Sequence, residues 1–457
     1  MKKLTQEKRF KLMTEGKLKP LIVKLAIPTV ISQLITTIYS MADTFFVNQI
    51  SDSAGAAITA VFSVQTLIQA IGFTIGIGTG ALLSRALGEK ENEKANMFAS
   101  QGLFMALILG LLFLIFGLTM TESILRLIGC SDTALPYAKD FVTYIFIAVP
   151  FMMCSFVMNN ILRGEGKAVI SMIGLTAGGL LNMALDPLFI YVFKMGVGGA
   201  GLATMISQIV SFTILCSFFI FKQSNCKIGF NHLTRDYKTY LVVLANGSPT
   251  LFRQGFATTS NICLTFLSKP FGDSITTALG IASKLYSGFR SLIVGTGQGY
   301  QPVLGYNYGA KKYDRVKEAF YFTMMLQTII GLSGTLILLI FPRQIASVFT
   351  SSTDALEMGE MAIRFLAISL PVLGFSTIVN QSLQVIGYSV SASFLASLRQ
   401  GLIYTPFIFL FTNLWGTTGL ALTQPLSDVA TALISIPFLF YFFNILKKKK
   451  EQEQLII

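Results

Sequence analysis

The chain has 457 residues, of which 53% are hydrophobic and only 12% charged, about half the charged share of an ordinary globular protein. A soluble surface cannot be made from it. The net charge of +13 would suit a nucleic-acid partner, but the basic residues sit in short segments between apolar runs, and that distribution argues for membrane topology instead.

The first 20 residues are basic and polar and have no apolar region ahead of a small-residue cleavage site, so a retained segment rather than a signal peptide is expected. Twelve apolar runs follow, at about 21–46, 55–80, 95–118, 137–160, 168–193, 197–221, 241–267, 275–302, 318–341, 361–383, 391–412 and 417–444. Each is long enough to cross a hydrocarbon core of roughly 30 Å as a helix. Arg85, Lys90, Lys94, Arg163, Lys167, Lys222–Lys238, Lys311–Lys317 and Lys447–Lys450 then fall on the same side as the basic N-terminus. Arg126, Lys139, Lys194, Lys269, Arg343 and Arg364 fall at or near the other. The asymmetry predicts both termini in the cytoplasm of a bacterial-type inner membrane.

The first span carries Thr29, Gln33, Thr36, Ser40 and Asp43 at spacings of three to four, with Tyr39 one turn before Asp43. Such a polar face is costly in lipid and should point into the bundle or a wet cavity. The fifth span carries Asn182 and Asp186 one turn apart. Counted from the outer end at about 1.5 Å per residue, Asp43 and Asp186 share a depth and are able to share a proton. The other reading makes each a helix-end cap near the headgroups, or makes Asp186 an accompaniment to the kink at Pro187.

At an offset of 221 the second half repeats the first: Pro28 falls on Pro249, Thr29 on Thr250, Gln33 on Gln254, Asp52 on Asp273, Ser53 on Ser274, Pro150 on Pro371, Asn159 on Asn380 and Gly166 on Gly387. Small gaps would bring Gly76, Gly78 and Gly80 onto Gly295, Gly297 and Gly299. Six spans per copy is an even number, so the repeats are parallel. The predicted division is a segment 1–20, a first lobe 21–221, a linker 222–240, a second lobe 241–444 and a tail 445–457. Transporters of this construction bind substrate between their halves.

The second lobe reverses the charge of the first. Arg253, Lys284, Arg290 and Arg399 enter its spans with one acid, Asp428, and pairing of Asp428 with Lys284 or Arg399 is expected. The cluster is either a self-neutralising network that fixes packing or a set of fixed counter-ions lining a cavity. Cys130, Cys154, Cys216, Cys226 and Cys263 have no metal-ligand spacing, and the single His232 lies in a loop. No metal site and no catalytic constellation is predicted.

GTGQGYQPVLGYNYGAKK at 295–312, ADTFFV at 42–47, ILRGEGKAVISM at 161–172 and NMALDP at 182–187, in that setting of a duplicated chain, resemble the multidrug and toxic compound extrusion (MATE) family of antiporters. The resemblance covers about 17–445. It implies an all-α membrane protein of twelve transmembrane helices, in two parallel six-helix repeats that form a V-shaped central cavity. It also implies cation-driven export of amphipathic, often cationic compounds by a rocking of lobes. In the proton-coupled branch the ion-coupling residues would be Asp43, Asp186 and Asn182, the cavity residues Tyr39, Thr204, Asn159 and Gln33, and the hinge Pro28. The seventh span has no Glu and the tenth no Asp, which departs from the branch that holds sodium in its second lobe. A coupling proton, with sodium at the same carboxylates as the other candidate, would be the only cofactor. Small-molecule substrates and membrane lipid would be the partners of a monomer, with no nucleic acid. The competing functions are a lipid-linked oligosaccharide flippase of the same superfamily and a membrane-embedded enzyme.

Overall fold

The computed structural model describes residues 6–48, 50, 52–347 and 353–455. The ends of the segments predicted at 1–20 and 445–457, and the side chains of the repeat residues Asp52, Ser53 and Asp273, lie outside the described residues. The first repeat holds α1 (Leu18–Asn48), α2 (Asp52–Gly88), α3 (Asn92–Thr119), α4 (Leu135–Gly164), α5 (Ala168–Pro187) and α6 (Gly196–Ile220). The second holds α7 (Tyr237–Ser268), α8 (Asp273–Gly309), α9 (Tyr313–Ile340), α10 (Thr353–Ile386), α11 (Ser389–Ser397) and α12 (Tyr404–Gln454). Both α5 and α11 run on into a π turn, Leu188–Val192 and Leu398–Leu402. Helix is the expected form, since hydrocarbon offers no partner for a backbone N–H or C=O and the segment must satisfy its own.

Among the described residues nine stretches are long and apolar enough to cross a membrane. One of them, residues 389–454, contains two spans. Gly416 breaks it with φ +56° and ψ −128°, a conformation outside the right-handed helix and open to glycine alone at little cost. α7 and α8 complete the twelve. They are 32 and 37 residues long but fall short in hydropathy, because Arg253, Lys284 and Arg290 lie on them.

By packing, the chain forms two units. One includes Ile31–Gly247 and the residues up to Met13; the other comprises Thr14–Val30 and the residues from Ser248 onward. The division by packing therefore cuts α1 and α7, whereas the division by sequence falls between lobes at 222–240. In the first unit α4 is the central helix, packed on α2, α3, α5 and α6; in the second α10 packs in the same way on α8, α9, α11 and α12. Their apolar windows are 78% and 61% buried, each the highest among the stretches of its repeat that are apolar enough to cross a membrane.

The repeat is visible in the contacts. A Cβ at Gly110 would stand 2.6 Å from the Cα of Pro150, and one at Gly331 would stand 2.8 Å from the Cα of Pro371. Asn159 donates from Nδ2 to the Ser171 carbonyl at 2.8 Å, and Asn380 donates to the carbonyl of Ala392. Lys90 and Lys311 share a positive φ, as do Gly166 and Gly387. Every one of these pairs is 221 apart. The glycine alignment with gaps is therefore corrected. A Cβ at Gly76 would meet Asn160 and one at Gly297 would meet Gln381, while Gly78 closes on Gly247 and Gly299 on Ala26. Gly76 thus matches Gly297 and Gly78 matches Gly299, with no gap.

The start of the 222–240 segment is strapped to the first unit. Glu165, buried at the end of α4, pairs with Lys167 and accepts hydrogen bonds from the Ser224 hydroxyl and the N–H groups of Asn225 and Cys226. The N–H of Lys227 donates to Asn96 at 2.8 Å, and Phe230 packs on Phe104 with ring centroids 4.5 Å apart. Burial alone would raise the Glu165 carboxyl. The Lys167 charge and the hydrogen bonds from Lys167, Ser224 and Cys226 outweigh it and hold the group below the usual carboxylate range.

Candidate functional site

α5 packs closely on two helices of the first unit because it presents Gly178 and Gly179 to them. A Cβ at Gly179 would come 3.0 Å from Ile35 and 3.4 Å from Tyr39 on α1, and one at Gly178 would come 2.9 Å from Ser211 on α6. One turn beyond these glycines, Asn182 and Asp186 follow at a spacing of four and so share a face. On α1, Tyr39 and Asp43 keep the same spacing. The close approach of the helices sets the polar groups against one another.

Asp43, Asp186, Asn182 and Thr204 are all buried. The Asn182 amide donates to Oδ1 of Asp186 at 3.3 Å and to the Thr204 hydroxyl at 3.2 Å, linking α5 to α6. Asp43 and Asp186 interact electrostatically, and Tyr39 interacts with both. Oδ1 of Asp43 and Oδ2 of Asp186 are buried without a hydrogen-bond partner. Among the described residues, no basic group forms an ion pair with either acid.

Five of the residues singled out by sequence thus converge: Asp43, Asp186, Asn182, Tyr39 and Thr204. Gln33 and Pro28 do not. They precede Asp43 on α1 by ten and fifteen positions, about 15 Å and 22 Å along the axis. Asn159 is engaged elsewhere, with both the carbonyl and the hydroxyl of Ser171. Sequence reasoning passed over Ser207 and Ser211, buried on the face of α6 that continues from Thr204. Their spacing with Thr204 was the available signal.

A second polar cluster lies wholly within the other unit. Of the two candidates for Asp428, Arg399 is the one that meets it, Nε to Oδ1 at 2.9 Å. Asp428 also accepts from the Tyr286 hydroxyl and from Gln424 at 2.9 Å. Arg290 donates to Gln400 at 3.4 Å, and Arg253 interacts electrostatically with Arg290 and Arg399. Lys284 is exposed. It stands two residues before Tyr286, about 200° around α8, whereas Arg290 is one turn on from Tyr286 and shares its face. Among the described residues, no group of three or more His, Cys, Asp or Glu could hold a metal ion.

The sequence pattern of the MatE family matches residues 28–188 and matches again at 249–410. The chain belongs to the MatE family. The two matches begin 221 residues apart, the offset of the internal repeat, so each copy of the MatE pattern lies within one repeat. The first contains Asp43 and Asp186; the second contains Arg253, Arg290 and Arg399, while Asp428 lies beyond it. This MatE chain is 24% identical to the multidrug export protein MepA of Staphylococcus saprophyticus over 414 residues, 90% of this chain and 91% of that one. In fold it is similar to a MATE solved in a straight conformation, with a TM-score of 0.90, 24% identity and coverage of 97% of this chain and 99% of that chain. A MATE in a bent conformation gives a TM-score of 0.88 at 24% identity, covering 99% of each.

Proposed function

We propose that the protein exports amphipathic, often cationic small molecules from the cell in exchange for protons carried by Asp43 and Asp186. The observation that carries this reading is the pair of buried carboxylates, each with one oxygen lacking a hydrogen-bond partner and neither in an ion pair among the described residues. An uncompensated carboxylate in a low-dielectric interior is strongly disfavoured, and two side by side more so. Taking up a proton removes the cost; opening to water returns it. Such a site is a proton carrier by its own energetics. Asn182 holds one oxygen of Asp186, and Tyr39 and Thr204 border the pair.

Release and binding of substrate by rocking of the lobes, with a bend of α1 at Pro28 as the hinge and both termini in the cytoplasm, complete the reading. α1 runs through Pro28 without a break, although proline leaves one carbonyl without its helical partner and crowds the preceding turn. That weak point, with the straight and bent forms solved for a MATE, supports the hinge. The naming of the MepA relatives as multidrug exporters supports export of drugs over the flipping of lipid-linked oligosaccharides.

Ethidium efflux from proteoliposomes, driven separately by a proton and by a sodium gradient, tests the coupling. The proton gradient alone is expected to drive it. Asp43→Asn and Asp186→Asn should each abolish efflux while the protein elutes as a folded species. Efflux at the parental rate in both variants, or dependence on sodium alone, overturns the assignment.

A further inference from the structure

We propose that the second unit contains a binding site for an oxyanion, the carboxylate, sulfonate or phosphate end of an amphipathic molecule, built on Arg253, Arg290 and Arg399. Three guanidinium groups gather here, and among the described residues Asp428 is the one acid ion-paired with any of them. The cluster therefore keeps an excess of two positive charges, a state that hydrocarbon penalises unless an anion joins it. Arg399 is 8% exposed, and its Nη2 is buried with no hydrogen-bond partner. A guanidinium offers a planar fork that fits two oxygens of a carboxylate or phosphate.

The geometry supplies a place for that group one side chain away from the charges. A cavity of about 50 Å³ is bounded by Tyr286, Gln400, Gln424, Ser260, Asn261 and Ser287 among others, with hydroxyl and amide groups but none of the three arginines in its lining. Three of these hold the charges: Gln400 receives Arg290, while Tyr286 and Gln424 donate to Asp428. At 10–15 Å³ for one water on the same measure, the space takes roughly three to five water-sized groups, which suits a carboxylate or phosphate head. Arg399 and Gln400 lie in the π turn Leu398–Leu402, a local widening of the helix often found at working sites. The matching positions of the first unit, 221 earlier, are Ser32, Gln69 and Gly178, and those matching Asp43 and Asp186 are Leu264 and Phe407. The two repeats have specialised in opposite charge.

The inference deepens the exporter reading by adding amphipathic anions and zwitterions to its substrates, yet binding can be measured without any gradient. The test uses the purified full chain in phosphatidylcholine nanodiscs and a fluorescent amphipathic carboxylate, 11-(dansylamino)undecanoate, against its methyl ester. The carboxylate is expected to bind at least tenfold more tightly than the ester. Arg290→Gln should erase that preference, and Arg253→Lys, which keeps charge and loses the fork, should weaken it severalfold. Asp43→Asn should retain the preference even though it loses efflux, which separates failure of the coupling assignment from failure of this one. If the carboxylate binds only after phosphatidylglycerol is stripped, and the wild type but not Arg290→Gln retains that lipid by native mass spectrometry, the site is an oxyanion site filled by a lipid phosphate. Equal binding of acid and ester, with no lipid retained, or a preference unchanged in Arg290→Gln and Arg253→Lys, overturns the proposal.

Discussion

Glu165 shows how much a single residue can fix in this molecule. Its side chain is fully buried and that of Lys167 is 4% exposed, so among the described residues each is the other's ion-pair partner in the interior. Glu165→Gln would strand the ammonium, and loss of one partner of a buried pair costs about 3–5 kcal/mol. The expected result is a marked fall in thermal stability together with faster trypsin cleavage at Lys222 and Lys227 than in the parent. The pH dependence follows from the depressed carboxyl. Its stabilisation is complete above the ordinary carboxylate value of about 4.3 and is lost only as pH falls through the lower value of the folded state. Hydrogen exchange at the Asn225 and Cys226 amides should therefore stay protected from neutral down to mildly acidic pH. Loss of protection between pH 8 and pH 6 would contradict this.

At the scale of elements, the packing of helices depends on where a side chain is missing. Gly110 and Gly331 each admit a proline backbone at a distance no Cβ tolerates, so the rigid Pro150 and Pro371 cannot yield. Gly110→Ala and Gly331→Ala are each expected to cost about 1–3 kcal/mol through overpacking, read as a fall in melting temperature; a pair of neutral variants would refute the equivalence of the two contacts. Pro28 invites the opposite experiment. Pro28→Ala restores a helical hydrogen bond and should raise or preserve stability, since proline inside a helix costs about 3 kcal/mol, while lowering efflux severalfold. Parental efflux would reject the hinge.

The same scale shows what could be read from the residues and what could not. The spans and the 221-residue repeat were legible because runs of apolar residues, prolines and asparagines leave marks that one-dimensional comparison detects. The register of the glycine segment was not. A motif with glycine at every second position matches itself after a shift of two, and only the partners Asn160 and Gln381 settle which shift is real. Asp43, Asp186 and Asn182 stood out as polar groups in apolar helices. Tyr286, Gln400 and Gln424 did not, because tyrosine and glutamine in a long helix are common and only folding brings them around one cavity. The exposed Lys284 illustrates the reverse: a charge near the right position in sequence lies on the wrong face of its helix.

For the whole molecule, the consequence lies in the passage of Thr14–Val30 into the second unit and of the early part of α7, up to Gly247, into the first. The boundary of the gene's duplication and the boundary of its packing are different lines. A chain severed in the 222–240 segment would yield two polypeptides, each carrying a complete repeat and neither carrying a complete unit. Gly78 would lack the helix that fills it at Gly247, and Gly299 would lack Ala26. Each fragment made alone is therefore expected to be degraded or to aggregate in detergent, whereas the two made together should associate and restore ethidium efflux. A first fragment that is monodisperse and stable by itself would disprove it. The duplicated halves are thus not interchangeable parts: a chimaera that takes its second half from another family member must also match residues Thr14–Val30 of its recipient, because that short stretch packs within a body of chain that begins more than two hundred residues later.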